Sequence, residues 1–195
     1  MTMPCRRARY DILLLSLVSF SFFLLLQAAP VFPDPDSFYH TKIARLMREQ
    51  GIVKNFPWLQ MTVLNSVFAD QHLLYHLLLI PFLSLGLPPI WGVKLATAFF
   101  AWLAILALYF VLRYLNLRGA FWWTGLALIN APFILRLNLA KANALALDVF
   151  ILACLALIKK RHFLLFILAF TAVWLHASWP NILVVTLLYI FSSMI

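Results

Sequence analysis

Apolar residues run along this chain in stretches at about 11–29, 72–87, 90–112, 120–135, 144–158, 162–179 and 181–195, with short polar breaks between them. Several approach the ~20 residues an α-helix needs to cross a bilayer core. The strand-like alternation of a membrane barrel is absent from the sequence. The pattern predicts an all-α, polytopic transmembrane helical bundle. Composition agrees: 65% of the 195 residues are hydrophobic and the mean hydropathy is +0.97, whereas a soluble domain is about half apolar.

Charge decides which stretches are expected to cross. The net charge is +9, but the basic residues lie in short clusters between apolar stretches. There they set orientation, because Lys and Arg favour cytoplasmic loops; no nucleic-acid partner is expected. If every stretch crossed, the Lys159–His162 cluster would fall outside. With 72–87 not crossing, Arg6, Arg7 and Arg9, then Arg113 and Arg118, then Lys159, Lys160 and Arg161 all lie inside. The segment itself suits an interfacial or re-entrant helix: "HLLYHLLLIPFLSLGLPP" is short, carries His72 and His76, and is interrupted by Pro81.

The expectation is therefore about six spans, at 11–29, 90–113, 120–136, 144–158, 162–179 and 181–195, in a single domain covering 1–195. The N-terminus is cytoplasmic, the membrane is a bacterial inner membrane, and a long first external loop covers 30–89. A short second external loop covers 137–143. Trp122 and Trp123 fall in the inner aromatic belt, Trp174 and Trp179 near the outer one. Arg6, Arg7 and Arg9 followed by an apolar run and "QAAP" look like a signal peptide; a retained first span fits the charge pattern better. Cys5 and Cys154 lie in such different settings that no disulfide is implied. The chain stops inside an apolar run, so an N-terminal portion of a longer protein is expected.

The polar chemistry gathers in the first loop. In "PVFPDPDSFYHTKIARLMREQG", Asp36 is placed to cap a helix from Ser37 to Gln50, with Gly51 as its stop. Asp36, His40, Ile43 and Met47 then share one face, and Lys42, Arg45 and Glu49 another. Asp36 reads either as a plain cap or as a functional acid, and His40 either as a headgroup-level polar residue or as part of a site. In "FADQHLLYH", Asp70 is placed to cap a second helix on which His72 and His76 stand one turn apart. That spacing suits either a metal or two polar anchors at the interface. The intervening "FPWLQMTVLN" is aromatic and uncharged, so it is expected to pack on the membrane surface or on the spans.

"DPDSFYHTKIA" directly after a first span resembles the first external loop of the oligosaccharyltransferase catalytic subunit family, within the GT-C superfamily of membrane glycosyltransferases. The matching positions are Asp36, Phe38, Tyr39, His40 and Lys42, and Asp34-Pro35 offers a second register. "FADQHLLYHLLLIPF" is similar to the end of that loop, and "TAVWLHASWPNILVV" to the region of the fifth and sixth spans.

The resemblance implies a glycosyltransferase moving a sugar or oligosaccharide from a polyprenyl-phosphate or -diphosphate donor, in the lipid, to an acceptor of unknown identity on the external face. It implies Asp36, Asp34 and His40 as catalytic candidates, with Tyr39 and His76 nearby. In the family the first-loop Asp binds a divalent cation, Mg or Mn, and the second external loop adds acids. Here that loop reads "RLNLAKANALALD": the acid pair is missing, Lys141 stands near its place, and Asp148 follows.

Two routes stay open. A cation is held by Asp36, Asp70 and His72, since hard cations favour carboxylates. Alternatively Asp36 is a general base while Lys141 or Arg136 holds the donor phosphate, as in relatives that use polyprenyl-monophosphate sugars. Asp148 is either an intramembrane functional acid or the partner of Lys141 or Arg136. A non-enzymatic polytopic protein, such as a transporter fragment or assembly subunit, is the rival reading; it would concentrate its polar groups at the midplane.

Overall fold

A computed structural model describes the backbone of residues 5–194; the side chains of Cys5, Arg6 and Arg7, invoked above, and Ile195 lie outside the described residues. The described chain is all-helical: α1 (Cys5–Leu26), α2 (Asp36–Gln50), α3 (Leu73–Leu83), α4 (Pro89–Tyr114), α5 (Ala120–Ala127), α6 (Ala131–Asn138), α7 (Asn143–Ile158), α8 (His162–Leu175) and α9 (Pro180–Met194). A 3₁₀ turn covers Val63–Asn65.

Two helices are long and apolar enough to cross a membrane, Ala8–Leu26 within α1 and the whole of α4. The pair α5 and α6 makes a third if it is one broken span. Helices α3, α7, α8 and α9 are apolar but shorter, at 11, 16, 14 and 15 residues.

The expected single helix over 120–136 is a correction. It is two helices bent by 72° at the break. The cause is local: Asn130 turns its side chain to accept the Phe133 amide, and Pro132 enters at the start of α6, where its missing N–H costs nothing.

Helix α4 is the centre of the bundle, packing against α1, α3, α5, α6 and α7 and also α2. Its buried residues are largely small: Gly92, Ala96, Ala98, Ala101 and Ala104 let neighbouring backbones approach. Gly92 is the tightest case, because a Cβ there would stand 2.8 Å from the Phe82 carbonyl oxygen of α3. Tyr75, Leu79 and Leu83 of α3 and Phe23 of α1 complete the main core.

A polar tie crosses this core. Lys94 of α4, only 2% exposed, donates from Nζ to the Gln27 carbonyl (3.1 Å) and the Val31 carbonyl (3.0 Å) just beyond α1. The Gln27 side-chain amide donates to the Asn138 carbonyl (2.7 Å) and to Asn138 Oδ1 (2.8 Å) at the end of α6. The two connections that follow α1 and α6 are thereby held side by side. Buried carbonyl groups find donors, and a buried ammonium finds acceptors, as the low dielectric requires.

Helix α2 lies as expected on its apolar face: His40, Ile43 and Met47 are buried, and Lys42, Arg45 and Glu49 are exposed. It ends at Gly51, whose φ of 82° places it in the left-handed region open to glycine. Arg48 donates to the Leu83 carbonyl and so ties α2 to the end of α3. The aromatic stretch after α2 contributes only Phe56 to a small core with Ile43 and Met47. Trp58, Leu59, Met61, Val63 and Val67 are exposed, so the stretch does not pack on the long helices.

Candidate functional site

The first acid cluster folds differently from the expected cap. Asp34, not Asp36, caps α2: Asp34 Oδ1 accepts the Ser37 amide at 3.2 Å, and Oδ2 accepts the Ser37 hydroxyl at 2.6 Å. Helix α2 begins one residue earlier than expected, at Asp36, with Pro35 leading into it. Proline supplies the helical φ without an N–H that would need a partner. Asp36 is thereby released from capping. Its side chain is 64% exposed, against 16% for Asp34.

Lys141, from the α6–α7 connection, reaches both acids. Its Nζ lies 2.7 Å from Asp36 Oδ2 and 3.2 Å from Asp34 Oδ1. The hydrogen bond and charge of Lys141 hold the Asp36 carboxyl below its ordinary value of 3.8. In return, the Asp36 hydrogen bond raises Lys141. Residues 105 positions apart meet because the Lys94–Gln27–Asn138 tie aligns the two connections.

The second cluster is a chain of buried rings. Asp70 Oδ1 accepts the His72 amide at 2.9 Å, as an acid at the entry of α3 should. Its Oδ2 lies 2.6 Å from His76 Nδ1, and His76 Nε2 lies 2.8 Å from His40 Nδ1. His72 places Nδ1 3.1 Å from the Leu175 carbonyl, and its ring packs 5.4 Å from that of His176. Burial first, then the neighbouring His76 and His72, push His40 down to about 3. Burial first, then Asp70, push Tyr39 up to about 12, so its hydroxyl stays protonated.

The candidate residues thus fall into two groups. Asp36, Asp34 and Lys141 meet; Tyr39, His40, Asp70, His72 and His76 meet beneath them. The expected cation set of Asp36, Asp70 and His72 is not brought together. Asp36 is held by Lys141, Asp70 by His76 and the His72 amide, and His72 by Leu175. Among the described residues no group of three or more His, Cys, Asp or Glu side chains is arranged to hold a metal.

Asp148 pairs with neither Lys141 nor Arg136. Lys141 is taken by the α2 acids, and Asp148 Oδ1 is buried without a hydrogen-bond partner. Arg136 is exposed and lines an open cleft of about 330 Å³ with Asn143, His176, Ser178 and Asn181 around an apolar floor of Leu147 and Phe150. Asn143 closes one edge by donating to the Arg136 carbonyl at 3.2 Å. Asn143 of the cleft stands two residues after Lys141 in the chain, and Lys141 itself is not among the residues that line it.

Sequence reasoning missed Lys94, Gln27 and Asn138, although a lysine inside an apolar run is itself a signal, being expensive to bury without acceptors. It quoted the stretch that holds His176, Ser178 and Asn181 for the family resemblance, without naming these three as site residues. Comparison with protein families, curated proteins and solved structures finds no match to this chain.

Proposed function

We propose that the chain is a GT-C-type membrane glycosyltransferase, or its N-terminal portion, transferring a sugar from a polyprenyl-phosphate or -diphosphate donor to an acceptor hydroxyl on the external face. The observation that carries this is the meeting of Asp36 with Lys141, a carboxylate open to solvent beside an ammonium; the segment that carries Lys141 also supplies Arg136 and Asn143 to a cleft with a polar rim and an apolar floor. A lipid-linked phosphate needs a cation for its head and apolar surface for its tail. The acceptor needs a carboxylate within reach of the same point. The six-span topology and the placing of segment 30–89 outside a bacterial inner membrane belong to this reading and rest on the charge pattern.

In this reading Lys141 and Arg136 hold the donor phosphate and stabilise the charge that develops as it leaves. Asp36 takes the acceptor proton as general base. The resting pair couples the two roles. A phosphate that draws Lys141 to itself releases Asp36, whose carboxyl then rises from its depressed value toward 3.8 and becomes the better base. Asp34, bound to Ser37, holds α2 and its Asp36 in place.

Purified protein in lipid nanodiscs, supplied with a labelled polyprenyl-phosphate sugar and with cellular acceptor extract, tests the assignment. Transfer is expected from the native chain and loss of about 100-fold or more from Asp36→Ala, the usual effect of removing a general base. Full transfer by Asp36→Ala overturns the role of that residue. Because Lys141 occupies the acids where a cation would be bound, transfer is expected to persist in a strong chelator; its abolition, with recovery on adding Mg or Mn, overturns the metal-free route.

A further inference from the structure

With Asp70 as a carboxylate and His76 as a neutral imidazole, the hydrogen-bond directions along the buried chain of Asp70, His76 and His40 follow. An ionised carboxylate only accepts, so His76 Nδ1 carries the proton that bridges 2.6 Å to Asp70. A neutral His76 then has a bare Nε2. The 2.8 Å contact to His40 must therefore be a donation from His40 Nδ1. That leaves His40 Nε2 as an open lone pair, in the tautomer that is the less common one for a free imidazole. His40 is one helical turn beyond Asp36 on α2.

We propose that Asp70, His76 and His40 form a proton relay whose receiving atom is His40 Nε2, and that it accepts the proton released at Asp36 during transfer. This rests on the glycosyl-transfer reading above and extends it to where the proton goes. As the acceptor oxygen bonds to the anomeric carbon of the donor, the bond from that carbon to the phosphate oxygen breaks, and its electron pair leaves on the phosphate. The hydroxyl proton passes to Asp36 and then to His40 Nε2. In the same movement the His40 Nδ1 proton passes to His76 Nε2, and the His76 Nδ1 proton passes to Asp70 Oδ2. Each imidazole gives up one proton as it gains one, so both end neutral and Asp70 ends as a carboxylic acid.

The surroundings favour that outcome. His40 is 4% exposed, and the rings of Tyr39, His72, Tyr75 and His76 lie 5.0–5.3 Å from it. An imidazolium there is disfavoured by burial and by the neighbouring rings, as the depression of His40 shows. The acids facing the chain are Asp36 on α2 and Asp70 itself, ahead of α3; His72 faces it too, and its ring packs on that of His176 after α8. A relay ending on a buried carboxylate avoids the imidazolium altogether. Asp70 and His76 act through His40 and are positioning residues.

The test has a spectral arm and a kinetic arm. Nitrogen NMR of histidine-labelled native protein in nanodiscs is expected to show the proton on Nδ1 in both His40 and His76, and Asp70→Asn to move it to Nε2 in His76. A native protein with either histidine protonated at Nε2 overturns the relay. In the transfer assay Asp70→Asn and His76→Gln are each expected to lower kcat about 100-fold, within the range for assisted proton transfer, with the donor KM unchanged. Unchanged kcat overturns the relay, and so does a loss confined to KM. A native protein that shows the Nδ1 tautomers but transfers from no donor sinks the glycosyl-transfer reading; a protein that transfers but lacks the tautomers sinks the relay alone.

Discussion

At the scale of single residues, the contrast between Asp34 and Asp36 carries the account. Two acids on either side of Pro35 are alike in sequence, yet one is spent on the Ser37 amide and hydroxyl and the other stands open beside Lys141. Asp34→Ala is expected to cost about 1 kcal/mol through the lost cap, read as a lower thermal midpoint; an unchanged midpoint contradicts the capping role. Lys141 depresses the Asp36 carboxyl, so the pair's contribution to stability is present above the ordinary carboxylate range and fades as pH falls through the lower folded value. Lys141→Ala is expected to raise the Asp36 titration midpoint toward 3.8, followed by carbon NMR of labelled aspartate. No shift contradicts the pairing.

The residue types of the site were legible in the sequence. Asp36, Tyr39, His40 and Lys141 were singled out from one motif and one charge in a short loop. Their partners were not, because a cap is decided by one residue of register, and because Lys141 and Asp36 are 105 positions apart. The same gap hid the role of His76. Spacing on one helix suggested a shared metal with His72, whereas the fold turns His76 toward Asp70 and His40 and His72 toward Leu175.

At the scale of elements, the apolar pattern located α1, α4, α7, α8 and α9, since long apolar runs and their proline and glycine breaks act locally, but it read one helix over 120–136 where there are two. Helix α2 ended at Gln50 as its glycine stop demanded. The break between α5 and α6 escaped, although Asn130 and Pro132 are helix-start residues by type. An unbroken apolar composition on both sides masked them. The approach of α3 to α4 gives the sharpest element-scale expectation. Gly92→Ala places a methyl 2.8 Å from the Phe82 backbone oxygen, and overpacking of this kind costs about 1–3 kcal/mol. A thermal melt of the purified variant should fall accordingly, and a native-like melt would show that α3 sits further from α4.

At the scale of the whole molecule, the bundle joins two halves of one site. Lys94 and Gln27 anchor the connection after α1, and Asn138 brings in the connection after α6, so a carboxylate and an ammonium from distant segments face one another. The proposed orientation in the membrane rests on the basic clusters alone. In a chain with Cys5 and Cys154 replaced by Ser, a cysteine at Met61 is expected to react with a membrane-impermeant maleimide in intact cells. One at Lys160 should react only after permeabilisation; the reverse pattern overturns the topology.

The central claim is that Asp36 and Lys141 serve one transfer reaction in different roles. Steady-state transfer from a labelled polyprenyl-phosphate sugar, measured for native, Asp36→Ala and Lys141→Ala chains in nanodiscs, tests it directly. Loss of kcat with the donor KM kept for Asp36→Ala, and a raised donor KM for Lys141→Ala, is the predicted result. Transfer by both variants at the native kcat and KM would contradict it.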